Sequence, residues 1–233
     1  ALAAVALALA AAAAPAPALA GDVLEQYAAT DRYRSGQPRG ATVTPDGREV
    51  LFLRSGPRDR VNDLWLLDVR TGQERLLLTA ERLLSGAEET LSVEERARRE
   101  RLRMSARGIA TFALSRDGRR VLVPLSGRLF VLERASGAIR ELSPERKGAI
   151  DARFSPDGTQ VACVRDGDLC VIDLVSDAER RLTTHEGERV GWGAAEFVAQ
   201  EEMSRFEGYW WSPDSKRLVV QRMVDEVSKI DPA

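Results

Sequence analysis

A short turn that returns four times constrains this chain more than any other feature. Thr44-Pro45-Asp46-Gly47 recurs as Ser115-Arg116-Asp117-Gly118, as Ser155-Pro156-Asp157-Gly158 and as Ser212-Pro213-Asp214-Ser215, each followed by a Val/Leu-rich run. Asp and Gly supply the turn geometry, and the run that follows is a strand with an apolar face to bury. After the first three copies comes a second apolar run, at 63–68, 128–133 and 168–173. A further turn (70–72, 135–137, 175–177) then leads into a strand ending near Leu78, Leu142 and Leu182. This order describes one four-stranded blade. Gly47, Gly118 and Gly158 stand 71 and 40 residues apart, and the shorter interval matches the roughly 40 to 50 residues of a propeller blade. The longer interval must hold an insertion. A parallel solenoid would repeat at shorter, more uniform intervals, and an immunoglobulin-like sandwich would not use one turn four times. The sequence therefore predicts an all-β fold: a partial β-propeller of about three to four four-stranded blades, with two short helical insertions.

Composition narrows the setting. The first twenty residues carry no charge and thirteen of them are alanine; Pro15 and Pro17 interrupt the run, and Ala18-Leu19-Ala20 precedes Gly21. That pattern has the small-x-small shape of a signal-peptidase site, so residues 1–20 are expected to be a partial signal peptide of an exported, periplasmic or secreted protein. An Ala/Pro linker is the other reading. The run is too short and alanine-rich to span a bilayer, which takes about 20 strongly apolar residues, so no stable membrane insertion is expected. The 213 residues that remain would make three to four blades at about 45 residues each, while propellers close with 4 to 8. The propeller is thus expected to be cut at its C-terminal side. Thirty-four Lys+Arg against thirty-six Asp+Glu leave no basic excess for a nucleic-acid partner.

Cys163 and Cys170 flank Asp166-Gly167, a hairpin signal. A two-residue turn makes them a facing, hydrogen-bonded pair with Cα atoms about 5.5 Å apart, whereas a four-residue turn puts them in the closer class. Both a disulfide and a pair of small buried hydrophobes fit that spacing. Two cysteines and the distant His185, expected in a solvated loop, do not make a zinc site. No metal and no cofactor are expected.

Two insertions interrupt the repeat. At 91–104, Ser92 and Glu95 form a capping box, arginines crowd the last turn and Gly108 follows as a stop. This charged helix has only Val93, Ala97, Leu102 and Met104 as apolar candidates and is expected to project from the sheets. Its arginines either face solvent or face an anionic or carbonyl-bearing ligand. The second insertion runs from Gly193 to Gly208, with a helix expected over 194–206 and Phe197, Val198 and Met203 as anchors. It carries adjacent Glu201 and Glu202. Glu201 and Arg205 stand four apart in the order that favours a surface ion pair.

The stretch from Phe197-Val-Ala-Gln-Glu-Glu-Met-Ser-Arg-Phe-Glu-Gly-Tyr-Trp-Trp-Ser-Pro to Asp214 resembles the double-glutamate segment of the dipeptidyl peptidase IV family, which are prolyl-oligopeptidase-like serine peptidases. The run Arg98-Arg-Glu-Arg-Leu-Arg-Met104 with Gly108-Ile109 is similar to the arginine-bearing segment of its bacterial and cytosolic members. The resemblance implies an N-terminal propeller joined to a C-terminal α/β-hydrolase domain that removes N-terminal dipeptides with Pro or Ala at the second position. It implies that Glu201 and Glu202 bind the peptide's free amino terminus, and that Arg103, or alternatively Arg101, meets the substrate carbonyl. A homodimer is a further implied possibility for the parent protein. The family's chemistry needs a Gly-x-Ser-x-Gly elbow, and these 233 residues contain none. No catalytic residue is therefore expected in this chain, which would select substrate for a hydrolase domain it lacks. The alternative is a non-catalytic periplasmic propeller of the TolB-like type that binds a protein partner.

Overall fold

Each repeated turn hands one strand to the next within an antiparallel sheet. In the computed structural model, which describes residues 20–91, 96, 99, 100, 107–187 and 189–224, a helix, α1 (Ala20–Ala29), precedes the first blade. Residues 1–19 of the expected signal peptide lie outside the described residues. Blade one is β1 (Arg39–Val43), β2 (Glu49–Ser55), β3 (Val61–Asp68) and β4 (Glu74–Leu78), hydrogen-bonded in chain order. A short helix, α2 (Ala80–Leu84), follows, and β5 (Arg107–Gly108) runs parallel to the start of β3. Blade two is β6 (Ala113–Leu114), β7 (Arg120–Leu125), β8 (Arg128–Glu133) and β9 (Ile139–Leu142). Blade three is β10 (Ile150–Phe154), β11 (Gln160–Arg165), β12 (Asp168–Asp173) and β13 (Glu179–Arg181). Among the described residues no helix is long and apolar enough to cross a membrane.

The central strands of blades two and three read as unbroken apolar runs because both faces of these blades are covered. Leu51, Leu53, Leu64 and Leu66 of blade one pack with Val121, Val123, Phe130 and Leu132 of blade two. The opposite face of blade two, Leu122, Leu129 and Val131, packs with Val161, Cys163, Cys170 and Ile172 of blade three. The other face of blade three, Ala162, Val164, Leu169 and Val171, then meets Tyr209. Residues i and i+1 of one strand thus serve different inter-blade cores, as the two-residue period of a strand requires.

The cysteine hairpin has the two-residue form: Arg165 faces Asp168, and Cys163 faces Cys170. Both thiols are free and buried, so the pair packs as small hydrophobes. Burial pushes the Cys163 thiol up to about 12, which keeps it protonated and unreactive at neutral pH. His185 departs from the expected solvated loop. Its Nδ1 lies 2.9 Å from Oδ2 of the fully buried Asp168, which also receives Thr183 Oγ1 at 2.9 Å and Arg181 Nη1 at 3.2 Å. A buried carboxylate must be paired, and that need draws the histidine in.

The four turns share one construction. The hydroxyls of Thr44, Ser115, Ser155 and Ser212 donate to Asp46, Asp117, Asp157 and Asp214 at 2.5–2.6 Å. The amides of Gly47, Gly118, Gly158 and Ser215 close each turn at 2.8–2.9 Å. All four of these closing residues have positive φ, 61° to 73°. Serine pays steric strain there, and the Ser215 hydroxyl has its own use: it accepts the Asp157 amide of the neighbouring turn at 3.0 Å. Hydroxyl and amide donors hold the carboxyls of Asp46, Asp157 and Asp214 below the ordinary value. At Asp117 burial opposes the shift, and the Ser115 hydroxyl with the Arg119 amide overcomes it. Depressed folded-state values mean that the unfolded chain takes up protons first. These turns therefore contribute stability that is present above the unfolded aspartate value of about 3.9 and is lost as pH falls through the lower folded values. Asp157→Asn is expected to flatten the acid limb of a pH-dependent denaturation series followed by circular dichroism.

Blade four is built around an interruption. β14 (Val190–Trp192) pairs with β17 (Arg222–Val224), while β15 (Tyr209–Trp211) pairs with β16 (Leu218–Val220). Gln221 joins the two halves: its carbonyl accepts the Gly193 amide at 2.9 Å and its amide donates to the Gly208 carbonyl at 2.8 Å. Hence β14 and β15 are the two ends of one first strand, and 193–208 loops out of its middle. Blades one and three carry register shifts in the corresponding strand, between Arg39 and Thr42 and between Ile150 and Arg153. The insertion is an enlargement of a bulge the repeat already contains.

Candidate functional site

The neck of the insertion is a pair of glycines. Gly193 has φ 80°, and a Cβ on Gly208 would stand 2.5 Å from the Gly193 and Ala194 backbone. No side chain is there to yield, so only glycine lets the two strands of the neck touch. Ala194 and Glu207 add an antiparallel bridge.

Above the neck, the helix is shorter than the sequence suggests: α3 is Phe197–Glu201. Ala199 is its buried residue, whereas Phe197, Val198 and Met203 are 67%, 51% and 67% exposed. The three expected anchors are thus not anchors, because a five-residue helix presents too narrow a face to bury them. Glu201 ends α3 and Glu202 is its C-cap, and both are exposed. Neither carboxylate pairs with a basic side chain among the described residues. The Glu201–Arg205 pair does not form. Arg205 Nη2 instead binds Glu196 Oε2 at 3.1 Å, and its Nη1 donates to the Glu207 carbonyl at 2.6 Å and to Gln221 Oε1 at 2.8 Å.

Blade three supplies the wall opposite. Asp151, in a left-handed conformation at φ 52° inside the β10 bulge, grips Arg153 Nη2 with both oxygens at 2.7 and 3.0 Å. Arg153 Nη1 reaches Glu207 Oε1 at 2.9 Å, and its guanidinium lies 5.2 Å from the Tyr209 ring centre. Burial works against the charge on Arg153, but Asp151, with Tyr209 and Glu207 behind it, raises its pKa overall. Tyr209 is fully buried, and its single hydroxyl donor is shared by the carbonyls of Asp151 and Ala162. Between bulge and insertion lies a cleft of about 430 Å³ lined by Asp151, Arg153, Ser204, Arg205, Phe206 and Glu207. The insertion itself holds four glutamates against one arginine, an acidic surface suited to a cation.

The arginine-bearing segment is described in part. Arg101 and Arg103 lie outside the described residues, as do the capping pair Ser92 and Glu95 and the apolar candidates Val93, Ala97, Leu102 and Met104. Arg96, Arg99 and Glu100 are helical. Arg99 is buried and bonded to Glu89 at 2.8 Å, so this part of the segment docks and does not simply project. Glu89 also accepts the Gly108 amide at 2.8 Å. Gly108 serves a close approach more than a helix stop: at φ 73°, an added Cβ would meet the Asn62 carbonyl oxygen at 2.6 Å. Glu89, Arg96, Arg99 and Arg107 line a cavity of about 760 Å³ beside blade one. Among the described residues no group of three or more His, Cys, Asp or Glu could hold a metal ion.

The comparisons with known proteins bear on the fold and the family. A family model for the dipeptidyl peptidase IV N-terminal region matches residues 115–230, from the second repeated turn through the glutamate insertion and past β17. Over those residues, the chain belongs to the dipeptidyl peptidase IV family. Mouse (Mus musculus) dipeptidyl peptidase 8 is 26% identical over 198 residues, covering 74% of this chain and 22% of that protein. A probable dipeptidyl-aminopeptidase B of Trichophyton verrucosum is 29% identical over 111 residues, 46% of this chain and 12% of that protein. The crystal structure of Porphyromonas gingivalis dipeptidyl peptidase 4 superposes with a TM-score of 0.58 at 22% identity, covering 85% of this chain and 27% of that one. The fold is that of the propeller region of this family. The chain spans about a fifth of the mouse relative and about a quarter of the bacterial structure.

Sequence reasoning identified the glutamate pair but missed the framework that carries it: Asp151, Arg153, Tyr209 and the Arg205 network. The one available signal was the pair of glycines bounding the insertion, whose spacing marks a neck.

Proposed function

We propose that this chain is the substrate-selecting part of an exported serine-type dipeptidyl peptidase, and that Glu201 and Glu202 bind the free amino terminus of a peptide with Pro or Ala at its second position. The observation that carries this reading is the two adjacent, exposed carboxylates, while the nearby Arg205 is engaged elsewhere. A peptide α-amino group, with a pKa of about 7.7 to 8.0, is largely cationic at neutral pH and gains charge-assisted hydrogen bonds from two carboxylates. Anchoring that ammonium at a fixed point makes the site a ruler, so that the bond after the second residue is the one presented for cleavage. In this reading Arg103, with Arg101 as the alternate, meets the substrate carbonyl from the other insertion. The bond-breaking step belongs to a C-terminal hydrolase domain of the longer protein.

Titration calorimetry of the 233-residue chain with alanyl-proline and with N-acetyl-alanyl-proline tests the reading. The free dipeptide is expected to bind at least about tenfold more tightly, the size of one lost charged hydrogen bond. Glu201→Gln and Glu202→Gln, which keep shape and remove charge, should each erase most of that preference. Equal binding of the two dipeptides by the unaltered chain, or Gln variants with undiminished preference, would refute the role.

A further inference from the structure

We propose that Arg205 is the positioning residue of the glutamate pair, strapping α3 to blade four while keeping its own charge away from Glu201 and Glu202; this rests on reading the pair as an amine site. Five residues are far too few for a helix to persist alone, since isolated helices shorter than about 12–15 residues are marginal in water. Burial contributes little, because Ala199 is the buried side chain of α3. The usual N-terminal support is missing too: Glu196, the N-cap, makes no side-chain bond to the helix amides. Its carboxylate is committed to Arg205 Nη2 at 3.1 Å and to the Gln221 side-chain amide.

Arg205 completes the strap. Its amide donates to the Ala199 carbonyl at 2.9 Å, which fixes the C-terminal end of α3. The guanidinium ties Glu196, at the N-terminal end, to Gln221 on the strand pairing with both sides of the neck. It also holds the Glu207 carbonyl at 2.6 Å. One residue therefore holds both ends of the helix, the C-terminal end through its backbone amide and the N-terminal end through the guanidinium that ties Glu196 to Gln221 and to the Glu207 carbonyl. The geometry has an electrostatic consequence as well. An arginine four residues after Glu201 would on a longer helix fold back onto it and cancel half of the pair's charge. Ending α3 at Glu201 and turning Arg205 toward Glu196 leaves both carboxylates available to an incoming ammonium.

The test compares the full chain with its Arg205→Ala, Arg205→Lys and Glu196→Gln variants by two readouts. Amide hydrogen exchange at Gln200 and Glu202, whose amides donate to the Glu196 and Val198 carbonyls, is expected to quicken at least tenfold in Arg205→Ala, with exchange in blades one to three unchanged. The preference for alanyl-proline over its N-acetyl form is expected to fall about tenfold in Arg205→Ala. Arg205→Lys should recover part of it, and Glu196→Gln should lose part of it. A reference chain that discriminates, beside an Arg205→Ala chain that discriminates equally well with unchanged exchange, would overturn the positioning role alone. A reference chain that binds both dipeptides alike would overturn the functional reading and this role with it. Should Arg205→Ala fail to fold, the milder Glu196→Gln and Arg205→Lys decide the matter by the same two readouts.

Discussion

Glu179→Ala is expected to destabilise the chain by about 3–5 kcal/mol, the loss typical of breaking a buried ion pair from one side. The side chains of Glu179 and Arg165 are each 3% exposed, and Glu179 Oε2 lies 3.2 Å from Arg165 Nη2. Arg146 approaches the other oxygen at 3.1 Å from a half-exposed position. Without Glu179, the Arg165 guanidinium keeps its hydrogen bond to the Lys147 carbonyl, at 2.5 Å, but no carboxylate among the described residues. A cation left in a low-dielectric interior costs far more than the pair was worth. The double variant Arg165→Met/Glu179→Leu, which removes both charges, should recover most of the loss. Urea denaturation would show a lowered midpoint for the single variant with an unchanged slope. A single variant as stable as the starting chain would contradict the account of this hairpin.

Tyr209→Ala is expected to cost about 3–5 kcal/mol, in the range of buried aromatic truncations. The ring is fully buried against Ala162, Val164, Leu169 and Val171 of blade three. Its hydroxyl, with one proton to donate, sits between two carbonyls, those of Asp151 and Ala162. Tyr209→Phe isolates the polar part and should cost about 1–3 kcal/mol, because the one hydroxyl donor that the two carbonyls share is then lost. Since Tyr209 opens the strand that leaves the insertion, thermal unfolding of the Ala variant should show blade four loosening first, as faster amide exchange at Trp210 and Trp211.

What the sequence made legible follows from what is local. The four turns, the register that sets Cys163 opposite Cys170 and the strands at 128–133 and 168–173 rest on near-neighbour chemistry, and the structure repeats them. Decisions made across space were hidden. Arg205 could pair with Glu201 by spacing, but Glu196 and Gln221 outbid it because the neck brings them to the guanidinium from both sides. Phe197, Val198 and Met203 look like anchors only on a helix long enough to have a buried stripe. His185 looked solvated because nothing near it in sequence announces the buried Asp168 carboxylate that recruits it. That Gln221 would bridge two half-strands was likewise invisible, since the interruption of β14 and β15 replaces a bulge with sixteen residues.

The amine-binding role of the glutamate pair is tested most directly at the carboxylates themselves. In the chain labelled with carbon-13 at the glutamate side chains, alanyl-proline should shift the carboxyl resonances of Glu201 and Glu202 together, along one saturation curve, and N-acetyl-alanyl-proline should leave both in place. Binding that moves other resonances while those of Glu201 and Glu202 stay fixed would contradict the account.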